Sequence, residues 1–311
     1  AHNGDTPLLG ESEAMQRVRT LIERAVPTDS NVLILGENGT GKEIVAREIH
    51  RQSRRGEQPM VSIDLRATAE SLFESELFGH SKGAFTGAAG ERMGRLKAAG
   101  RSTLFLDEIG DLPLHLQPKL LTALEQRQVV PVGSNRTVPI DVRVVAATNL
   151  PAERLSDESR FRQDLLFRLN TIEIHLPPLR DRRSDIPLLL DHYLKLYQRK
   201  YDRPERLIPG DVMEVLARHD WPGNVRALRH AAERAVIMAD GTSYRLDDFP
   251  LPARPESALI SLTSGSLNLD QLEKQMIERA LRMHHFNISP PASELGLSRG
   301  ALYRRMEKHG L

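Results

Sequence analysis

Residues 32–43 read VLILGENGTGKE, an apolar run followed by a glycine-rich turn and the start of an amphipathic stretch. The apolar run predicts a buried strand, and residues 43–51 predict the helix after it. A strand, a glycine turn and a helix N-terminus together make a P-loop, whose backbone N–H groups face phosphates. The alternative, an ordinary glycine-rich turn before a helix, stays open from this stretch alone. The residues predicted to bind a nucleotide here are Gly36, Glu37, Asn38, Gly39, Thr40, Gly41, Lys42 and Glu43.

Lys42 and Glu43 are the last two residues of this loop, and we expect them to play different parts in nucleotide binding. The ammonium group of Lys42 is predicted to reach the β- and γ-phosphates of a nucleotide. The general P-loop pattern has Ser or Thr after the lysine, where the hydroxyl holds Mg²⁺. Glu43 occupies that position here, which removes one expected magnesium ligand.

Two further strand signals end in polar residues. STLFLDEIG (102–110) is an apolar run followed by Asp107 and Glu108, and VVAATN (144–149) ends in Asn149. We predict that Asp107 holds Mg²⁺, directly or through water, and that Glu108 polarises the attacking water. Asn149 is predicted to sense the γ-phosphate or orient that water. Together with the P-loop, these residues predict an ATP-hydrolysing site that uses ATP and Mg²⁺.

The first half of the chain alternates strand and helix signals, which predicts an α/β fold with a mostly parallel sheet covered on both faces. Amphipathic stretches at 43–51 and 114–126 lie between the strands. The predicted strands are NVLIL (31–35), MVSID (60–64), STLFL (102–106), DVRVVAA (141–147) and TIEIHL (171–176).

The pattern changes after residue 177. From 178 to 249 apolar residues recur at helical spacing, as in 186–197 and 212–219, so we predict an all-helical subdomain there. Residues 250–266 are rich in Pro and Ser and predict a linker. Helix signals return at 269–283. The predicted organisation is therefore an α/β unit over 1–177, a helical unit over 178–249, a linker over 250–266 and a C-terminal unit over 267–311.

Composition places few limits on the partners. Lys plus Arg total 43 against 42 for Asp plus Glu, so the overall charge indicates neither a nucleic acid nor a membrane surface. The absence of cysteine excludes disulfides and thiolate metal sites, and it fits a cytoplasmic protein. We expect no membrane span, because no apolar run approaches about 20 residues. The chain begins without Met at AHNGDTPLLG, which lacks a signal-peptide core, so we expect a trimmed chain or a missing upstream domain.

Residues 79–88 read GHSKGAFTGA. Six consecutive residues, 83–88, resemble the GAFTGA loop of the bacterial enhancer-binding proteins, the NtrC-type AAA+ activators of sigma-54 RNA polymerase. ESELFGH (74–80) is also similar to this family. In the family the loop contacts sigma-54, so the resemblance implies that Phe85 and Thr86 make this contact. The alternative is a glycine hairpin without a partner.

The resemblance extends over nearly the whole chain. FRQDLLFRLN (161–170) resembles the segment that carries the arginine finger, which implies a catalytic role for Arg162 and Arg168, with Arg168 as the finger. In the family these arginines act across a subunit boundary. The resemblance therefore implies a homo-oligomeric ring, a hexamer or heptamer, and a dimer when inactive. Two surface arginines without this function are the alternative.

Two other segments resemble the family, and the second of them differs from it at one residue. WPGNVRAL (221–228) looks like the second sensor segment of the lid, which implies that Arg226 lies over the bound nucleotide. In VSIDLRA, Asp64 stands where many members have an asparagine that pairs with the glutamate equivalent to Glu108. Two facing carboxylates would repel each other unless one were protonated or both were bridged. We therefore expect the coupling between hydrolysis and loop movement to work differently here.

Residues 267–311 resemble the Fis-type helix-turn-helix domain that ends these activators. Gly296 supplies the turn and Ser298 caps the second helix of the motif. This helix would read double-stranded enhancer DNA, although a solvated amphipathic hairpin is the alternative. The residues predicted to contact DNA are Arg299, Tyr303, Arg304, Arg305 and Lys308.

The resemblance thus implies a AAA+ P-loop ATPase with a parallel sheet, an all-helical lid and a C-terminal helix-turn-helix. The predicted function is an activator that binds enhancer DNA, forms a ring and uses ATP to remodel sigma-54 polymerase and open the promoter. One alternative is a DNA-binding regulator whose ATPase fold serves mainly as an oligomerisation scaffold. Another is a different AAA+ remodeller, such as a helicase loader, which would leave GAFTGA unexplained.

Overall fold

The computed structural model describes residues 7–84, 90–251, 277 and 299–309 of the 311-residue chain. The chain divides into two compact units, Ala1–Leu251 and Pro252–Leu311. The first unit contains every strand described below.

The strands alternate with helices along the first unit, as the sequence predicts. The strands are β1 (Val32–Leu35), β2 (Val61–Asp64), β3 (Gly79–His80), β4 (Arg92–Met93), β5 (Thr103–Asp107), β6 (Gln128–Val129), β7 (Val138–Pro139), β8 (Arg143–Thr148) and β9 (Ile172–His175). The helices are α1 (Glu13–Ala25), α2 (Lys42–Gln52), α3 (Glu70–Phe78), α4 (Arg95–Ala98), α5 (Gln117–Gln126), α6 (Ala152–Leu155), α7 (Gln163–Leu169), α8 (Ile186–Tyr201), α9 (Gly210–Arg218) and α10 (Asn224–Met238).

A five-stranded sheet in the order β2-β5-β8-β1-β9 forms the centre of the first unit, and all its neighbouring strands run parallel. Its members are the strands predicted from sequence. Leu33 and Leu35 of β1 pack on one face, against α3, α4, α5 and α7, whereas Val32 and Ile34 pack on the other, against α1 and α2. Burial on both faces explains why the three central strands, β1, β5 and β8, read as largely apolar runs, and the predicted α/β fold is confirmed.

Helices α8, α9 and α10 form a separate apolar cluster, which we call the lid. Its core includes Leu190, Tyr197, Trp221 and Leu228, all of which are buried. Trp221 also donates its indole N–H to the carbonyl oxygen of Leu216 at 2.8 Å, so its single polar atom is satisfied. The region predicted to be all-helical therefore has its own core. The domain boundaries at residues 177 and 249 stay predictions.

Two details differ from the sequence predictions. Helix α5 begins at Gln117 rather than at residue 114, with Pro118 in its first turn, where the missing N–H of proline costs little. The short antiparallel pairs β3–β4 and β6–β7 are not predicted, because two-residue strands are too short for a period of two to be recognised.

The β3–β4 pair holds the two ends of the segment that contains GAFTGA. Gly79 pairs with Met93, and His80 pairs with Arg92. Phe85 and Thr86 themselves lie outside the described residues, as do the predicted linker after residue 251 and most of the predicted helix at 269–283. In the second unit, the described helix α11 (Arg299–His309) coincides with the predicted second helix of the helix-turn-helix.

Within the described ranges, no helix combines the length and the apolar character that crossing a membrane requires.

Replacing Leu190 with Ala is expected to lower the free energy of unfolding of the lid by about 2–5 kcal/mol, because the side chain is fully buried in the lid core. Trp221 is the only tryptophan of the sequence, so its fluorescence during urea unfolding reports on this region. Leu207→Ala is the matched control, because Leu207 is 81% exposed and the same truncation should cost within about 0.5 kcal/mol. Equal midpoints for the two variants would contradict the described lid core.

Candidate nucleotide-binding site

A cleft of about 220 Å³ lies at the carboxyl ends of the central strands, between the sheet and the lid. Strands β5, β8 and β1 are direct neighbours in the sheet, so the residues that follow them meet at one edge. The structure thereby brings together most of the predicted site. The predicted residues that line the cleft are Asn38, Gly39, Gly41, Lys42, Glu43, Asp107, Glu108 and Arg226.

The P-loop connects β1 to α2 through two glycines with positive φ. Gly39 has φ of +79° and Gly41 has φ of +108°, a region that disfavours other residues. At Gly39 space is also limiting, since a Cβ atom there would lie 2.2 Å from the carbonyl oxygen of Gly223. Gly41 stands directly before the first residue of α2, so the unpaired N–H groups of this helix end face the cleft. This arrangement suits an anion such as a phosphate group.

Lys42 is buried, with 7% of its surface exposed. Its ammonium group donates to the carbonyl oxygens of Gly36 at 2.9 Å and Glu37 at 3.4 Å, and it lies 3.6 Å from Oε1 of Glu108. Burial lowers the pKa of Lys42, although the negative charges of Glu108 and Asp107 oppose this shift. The amine therefore lies between the loop and the acidic strand end, within reach of a ligand that binds in the turn.

Glu43 extends from the first turn of α2 and is exposed. One of its carboxylate oxygens accepts hydrogen bonds from Arg47 at 3.1 Å and 2.6 Å, one turn further along the helix. A carboxylate near a helix N-terminus is stabilised by the helix dipole. Glu43 lines the cleft, but its carboxylate is paired with Arg47.

Side chains from the lid and from the segment just before it bond to the P-loop. Asn224 is buried and donates to the carboxylate of Glu37 at 3.1 Å and to the carbonyl oxygen of Asn38 at 3.0 Å. Arg180 forms an ion pair with Glu37 at 2.5 Å. The pKa of Glu37 is lowered, mainly by this bond to Arg180. Glu37 and Asn38 of the loop are therefore both engaged by residues of the lid region.

The rest of the loop backbone is also bonded from this direction. The guanidinium group of Arg182 donates to the carbonyl oxygen of Thr40 at 2.9 Å, and the backbone N–H of Arg226 donates to that of Gly39 at 3.2 Å. The Thr40 hydroxyl donates back to the carbonyl oxygen of Glu37 at 2.8 Å. Sequence reasoning identified Arg226 but missed Asn224, Arg180 and Arg182. The one available signal concerned Asn224: Gly and Asn tolerate positive φ better than most residues, and φ is +92° at Gly223 and +56° at Asn224.

Asp107 ends strand β5 and Glu108 follows it in a left-handed conformation, with φ of +54°. Burial, reinforced by the negative charge of Glu108, raises the pKa of the Asp107 carboxyl to about 6. Among the described residues no group of three or more His, Asp or Glu could by itself hold a metal ion. Mg²⁺ bound with a nucleotide needs only one or two carboxylates besides phosphates and water, so the donor set around Asp107 fits such a site.

Glu108 is linked to the predicted sensor strand. Its Oε2 accepts the backbone N–H of Asn149 at 3.1 Å, directly after strand β8. The Oδ1 atom of Asn149 accepts a hydrogen bond from Arg66 at 3.3 Å, and Arg66 also lies 3.6 Å from Oε2 of Glu108. Asn149 thus lies beside Glu108, and its role toward the γ-phosphate or the water stays a prediction. Arg66 was not predicted to belong to the site, because its position two residues after a predicted strand does not by itself indicate a function.

Asp64 and Asp107 are paired residues of adjacent strands β2 and β5. The Asp64 side chain accepts the backbone N–H groups of Arg66 at 2.9 Å and Ala67 at 3.2 Å. The carboxylate is therefore engaged by its own turn, and Arg66 supplies the side chain that approaches Glu108. Residue 64 is the position at which the sequence departs from the family pattern, and its effect on coupling stays a prediction.

The two predicted finger arginines lie away from the cleft of their own chain. Arg162 precedes α7 and forms an ion pair with Asp164 at 2.6 Å. Arg168 lies at the other end of α7, where it donates to the carbonyl oxygen of Leu124 at 3.1 Å. Its own carbonyl oxygen accepts a hydrogen bond from Asn31, the residue before β1, at 2.9 Å. Arg168 is therefore at the amino edge of the sheet, opposite the P-loop.

Helix α11 presents four of the predicted DNA-contacting side chains at its surface. Tyr303, Arg304, Arg305 and Lys308 are exposed, whereas Leu302 is buried. Arg299 begins this helix. This helix thus has an apolar side and a basic side, which suits a helix that packs on its own unit and faces a polyanion.

Known protein families match the chain in three consecutive parts. The Sigma-54 interaction domain matches residues 8–175, the AAA+ ATPase lid domain matches 180–265, and the Bacterial regulatory protein, Fis family, matches 268–309. The match at 268–309 supports the helix-turn-helix prediction for a region that the structure describes only in part.

Individual proteins are similar over the same length. The DNA-binding transcriptional activator HyfR of Escherichia coli strain K12 is 42% identical over 318 residues, which cover 98% of this chain and 48% of HyfR. The transcriptional regulatory protein ZraR of Salmonella typhimurium is 42% identical over 302 residues, which cover 97% of this chain and 68% of ZraR. The chain thus spans about half the length of HyfR.

A solved structure also agrees with the fold. NtrX from Brucella abortus in complex with ADP superposes with a TM-score of 0.75 at 34% identity, covering 98% of this chain and 70% of NtrX. These matches confirm the predicted AAA+ fold with its lid and C-terminal helix-turn-helix. The chain belongs to the NtrC-type AAA+ family of sigma-54-dependent transcription activators.

Proposed function

We propose that this protein hydrolyses ATP at the cleft and uses the energy to remodel sigma-54 RNA polymerase from a site on enhancer DNA. The observation that carries the proposal is the meeting of Lys42, Asp107, Glu108 and Asn149 at one sheet edge. A phosphate-binding loop next to paired carboxylates and a polar sensor is the arrangement that phosphoryl transfer to water requires.

The P-loop residues bind the phosphates in this proposal. The N–H groups at the start of α2 and the ammonium group of Lys42 face the β- and γ-phosphates, and Arg226 of the lid approaches from the other side. Asp107 would hold Mg²⁺, which supplies charge neutralisation between the phosphates when bound. Because Glu43 is paired with Arg47, the hydroxyl ligand of other P-loops has no substitute at that position.

Glu108 acts as the general base in this proposal. One of its oxygens, Oε2, accepts the N–H of Asn149, whereas Oε1 is on the side of Lys42 and the P-loop. Oε1 is thus placed to accept a proton from water that attacks the γ-phosphate. Asn149, held beside it, orients the water or reports the presence of the γ-phosphate.

The finger arginines act on the site of a neighbouring subunit in this proposal. Arg168 lies at the amino edge of the sheet, and β1 alone, with four residues, spans roughly 13 Å to the opposite edge. Arg168 therefore needs a second copy of the chain to reach a γ-phosphate. This geometry supports a ring of identical subunits, a hexamer or heptamer, with Arg162 at the same boundary.

The segment with GAFTGA and helix α11 supply the two macromolecular contacts. Phe85 and Thr86 stand between strands β3 and β4, whose pairing holds both ends of the segment together. They would contact sigma-54. Helix α11, with Tyr303, Arg304 and Arg305 exposed, would enter the major groove of enhancer DNA.

Glu108→Ala is expected to lower ATP turnover by about 10²–10⁴-fold while ATP still binds, because a general base contributes about that much. Turnover is measured on the assembled oligomer, and open-promoter formation is measured with purified core polymerase, sigma-54 and a sigma-54 promoter. Glu153→Ala, at an exposed glutamate of α6, serves as the control and should keep both activities. Equal, negligible turnover by wild type and Glu108→Ala would instead favour a DNA-binding regulator whose ATPase fold is only a scaffold.

Thr86→Ala is expected to keep ATP turnover within about twofold of wild type and to lose sigma-54-dependent transcription, because the residue acts on the partner rather than on ATP. The assay measures turnover, sigma-54 binding and transcription with the same preparation. Loss of ATP turnover in this variant would show that the loop assignment is wrong.

Arg168→Ala is expected to lower turnover by about 10³-fold or more, the usual contribution of an arginine finger. Mixing it in equal amounts with Glu108→Ala distinguishes action in trans from action in cis. If Arg168 acts on the neighbouring site, random mixed rings contain intact sites at about one quarter of the boundaries, so turnover returns. Each variant mixed with itself is the control. No recovery in rings shown to be mixed would contradict the proposed boundary.

A further inference from the structure

Arg66 lies at the carboxyl edge of the sheet and contacts residues from three different segments. Its Nη2 atom lies 3.6 Å from Oε2 of Glu108 and donates to Oδ1 of Asn149 at 3.3 Å. Its Nε atom donates to Oδ2 of Asp111 at 3.2 Å. One planar guanidinium group therefore joins the end of β5, the turn after it and the end of β8.

The backbone before Arg66 is held by Asp64. The Asp64 carboxylate accepts the N–H of Arg66, and the Asp64 carbonyl oxygen accepts the hydroxyl of Thr68 at 2.7 Å. The N–H of Leu65 donates to the carbonyl oxygen of Asp107 at 3.1 Å, which continues the pairing with β5. The position of the Arg66 side chain thus follows from a turn fixed against the strand that carries the acidic pair.

The charges around Arg66 favour this arrangement. Glu108 has a side chain only 10% exposed, and its two oxygens face different cations, Oε1 facing Lys42 and Oε2 facing Arg66. Burial acts to lower the pKa of Arg66, but the carboxylates of Glu108 and Asp111 outweigh it, so that its pKa is raised. Arg66 thus balances part of an acidic cluster that would otherwise repel itself.

Lys42 and Arg66 differ in whether a bound nucleotide would compete for their contact with Glu108. Lys42 is the loop residue that reaches phosphate, so a bound nucleotide competes with Glu108 for its ammonium group. Arg66 lies in the turn after β2 and contacts no residue of the P-loop in the described contacts. Arg66 therefore remains as the cation beside Glu108 when Lys42 turns to the phosphates.

We propose that Arg66 is a positioning residue for hydrolysis, one that holds Oε2 of Glu108 and the amide of Asn149 in place while Oε1 of Glu108 receives the proton from water. The proposal rests on the proposed ATPase function. It assigns to Arg66 the contact with Glu108 that residue 64 does not make in this chain. The competing explanation is an exposed ion pair without consequence, since Arg66 is 49% exposed and such pairs contribute little to stability.

The test compares Arg66→Ala and Arg66→Lys with wild type in the full-length oligomer. For Arg66→Ala we expect kcat for ATP to fall by about 10–100-fold and KM to stay within about twofold, because a transition-state arrangement is lost and binding is kept. Arg66→Lys should recover only part of kcat, since an ammonium group cannot bond three acceptors in the plane of a guanidinium. Arg101→Ala, at an exposed arginine before the amino end of β5, is the control and should change neither constant.

A double-mutant cycle separates positioning from a general loss of structure. If Arg66 acts through Asn149 and Glu108, Arg66→Ala combined with Asn149→Ala should lower kcat by clearly less than the product of the single effects. Thermal unfolding of Arg66→Ala should match that of wild type within about 0.5 kcal/mol. Unchanged kcat in Arg66→Ala, multiplicative effects in the cycle, or a fall in kcat that tracks lost stability would each overturn the proposal.

A failure of the proposed function can be distinguished from a failure of this inference. Absence of ATP turnover in wild type would overturn the proposed function. Crystal structures of wild type and Arg66→Ala then decide the inference by themselves. A Glu108 carboxylate and an Asn149 amide that keep their positions without Arg66 would overturn it, and displacement of either supports it.

Discussion

Parallel pairing of β5 with β8 and of β8 with β1 is the constraint on which the site depends. In parallel strands all carboxyl ends lie at the same edge, so the P-loop after β1, the acidic pair at the end of β5 and Asn149 after β8 meet there. The price of this arrangement is that like charges come close together. Burial, reinforced by the nearby charge of Glu108, raises the pKa of Asp107, and the cations of Lys42 and Arg66 flank Glu108.

The lid contacts the P-loop at this same carboxyl edge of the sheet. Asn224 of the lid bonds the backbone carbonyl oxygen of Asn38, while Arg182 and Arg180, just before α8, bond the carbonyl oxygen of Thr40 and the carboxylate of Glu37. A movement of the loop would therefore alter these hydrogen bonds directly. The short distance between Gly39 and Gly223 explains why a side chain is not tolerated at Gly39, beyond the requirement of its φ angle.

The same strand pairing places the cleft and Arg168 at opposite edges of the sheet. The cleft occupies the carboxyl edge, while Arg168 occupies the amino edge beside Asn31. Because a rigid sheet lies between them, one chain has both halves of a proposed composite site without being able to join them. In the proposed ring of several copies, each half would meet its complement on a neighbouring subunit.

Much of this protein could be read from its sequence. The central strands appear as apolar runs, one followed by a glycine-rich turn and two by polar residues, so the α/β fold and the positions of Lys42, Asp107, Glu108 and Asn149 were predictable. GAFTGA is a contiguous motif, and the family matches bear out the relationship it indicated. Local patterns of this kind are visible because neighbouring residues in the chain produce them.

Contacts between distant segments were decided only by the tertiary structure. Arg66 and Asn149 are far apart in sequence, and they meet only because β2, β5 and β8 pair in this order and register. Likewise, Asn224 reaches the P-loop because the lid packs against it. Neither periodicity nor composition predicts such contacts, because a hydrogen bond between distant segments depends on positions in space that only the packed fold determines.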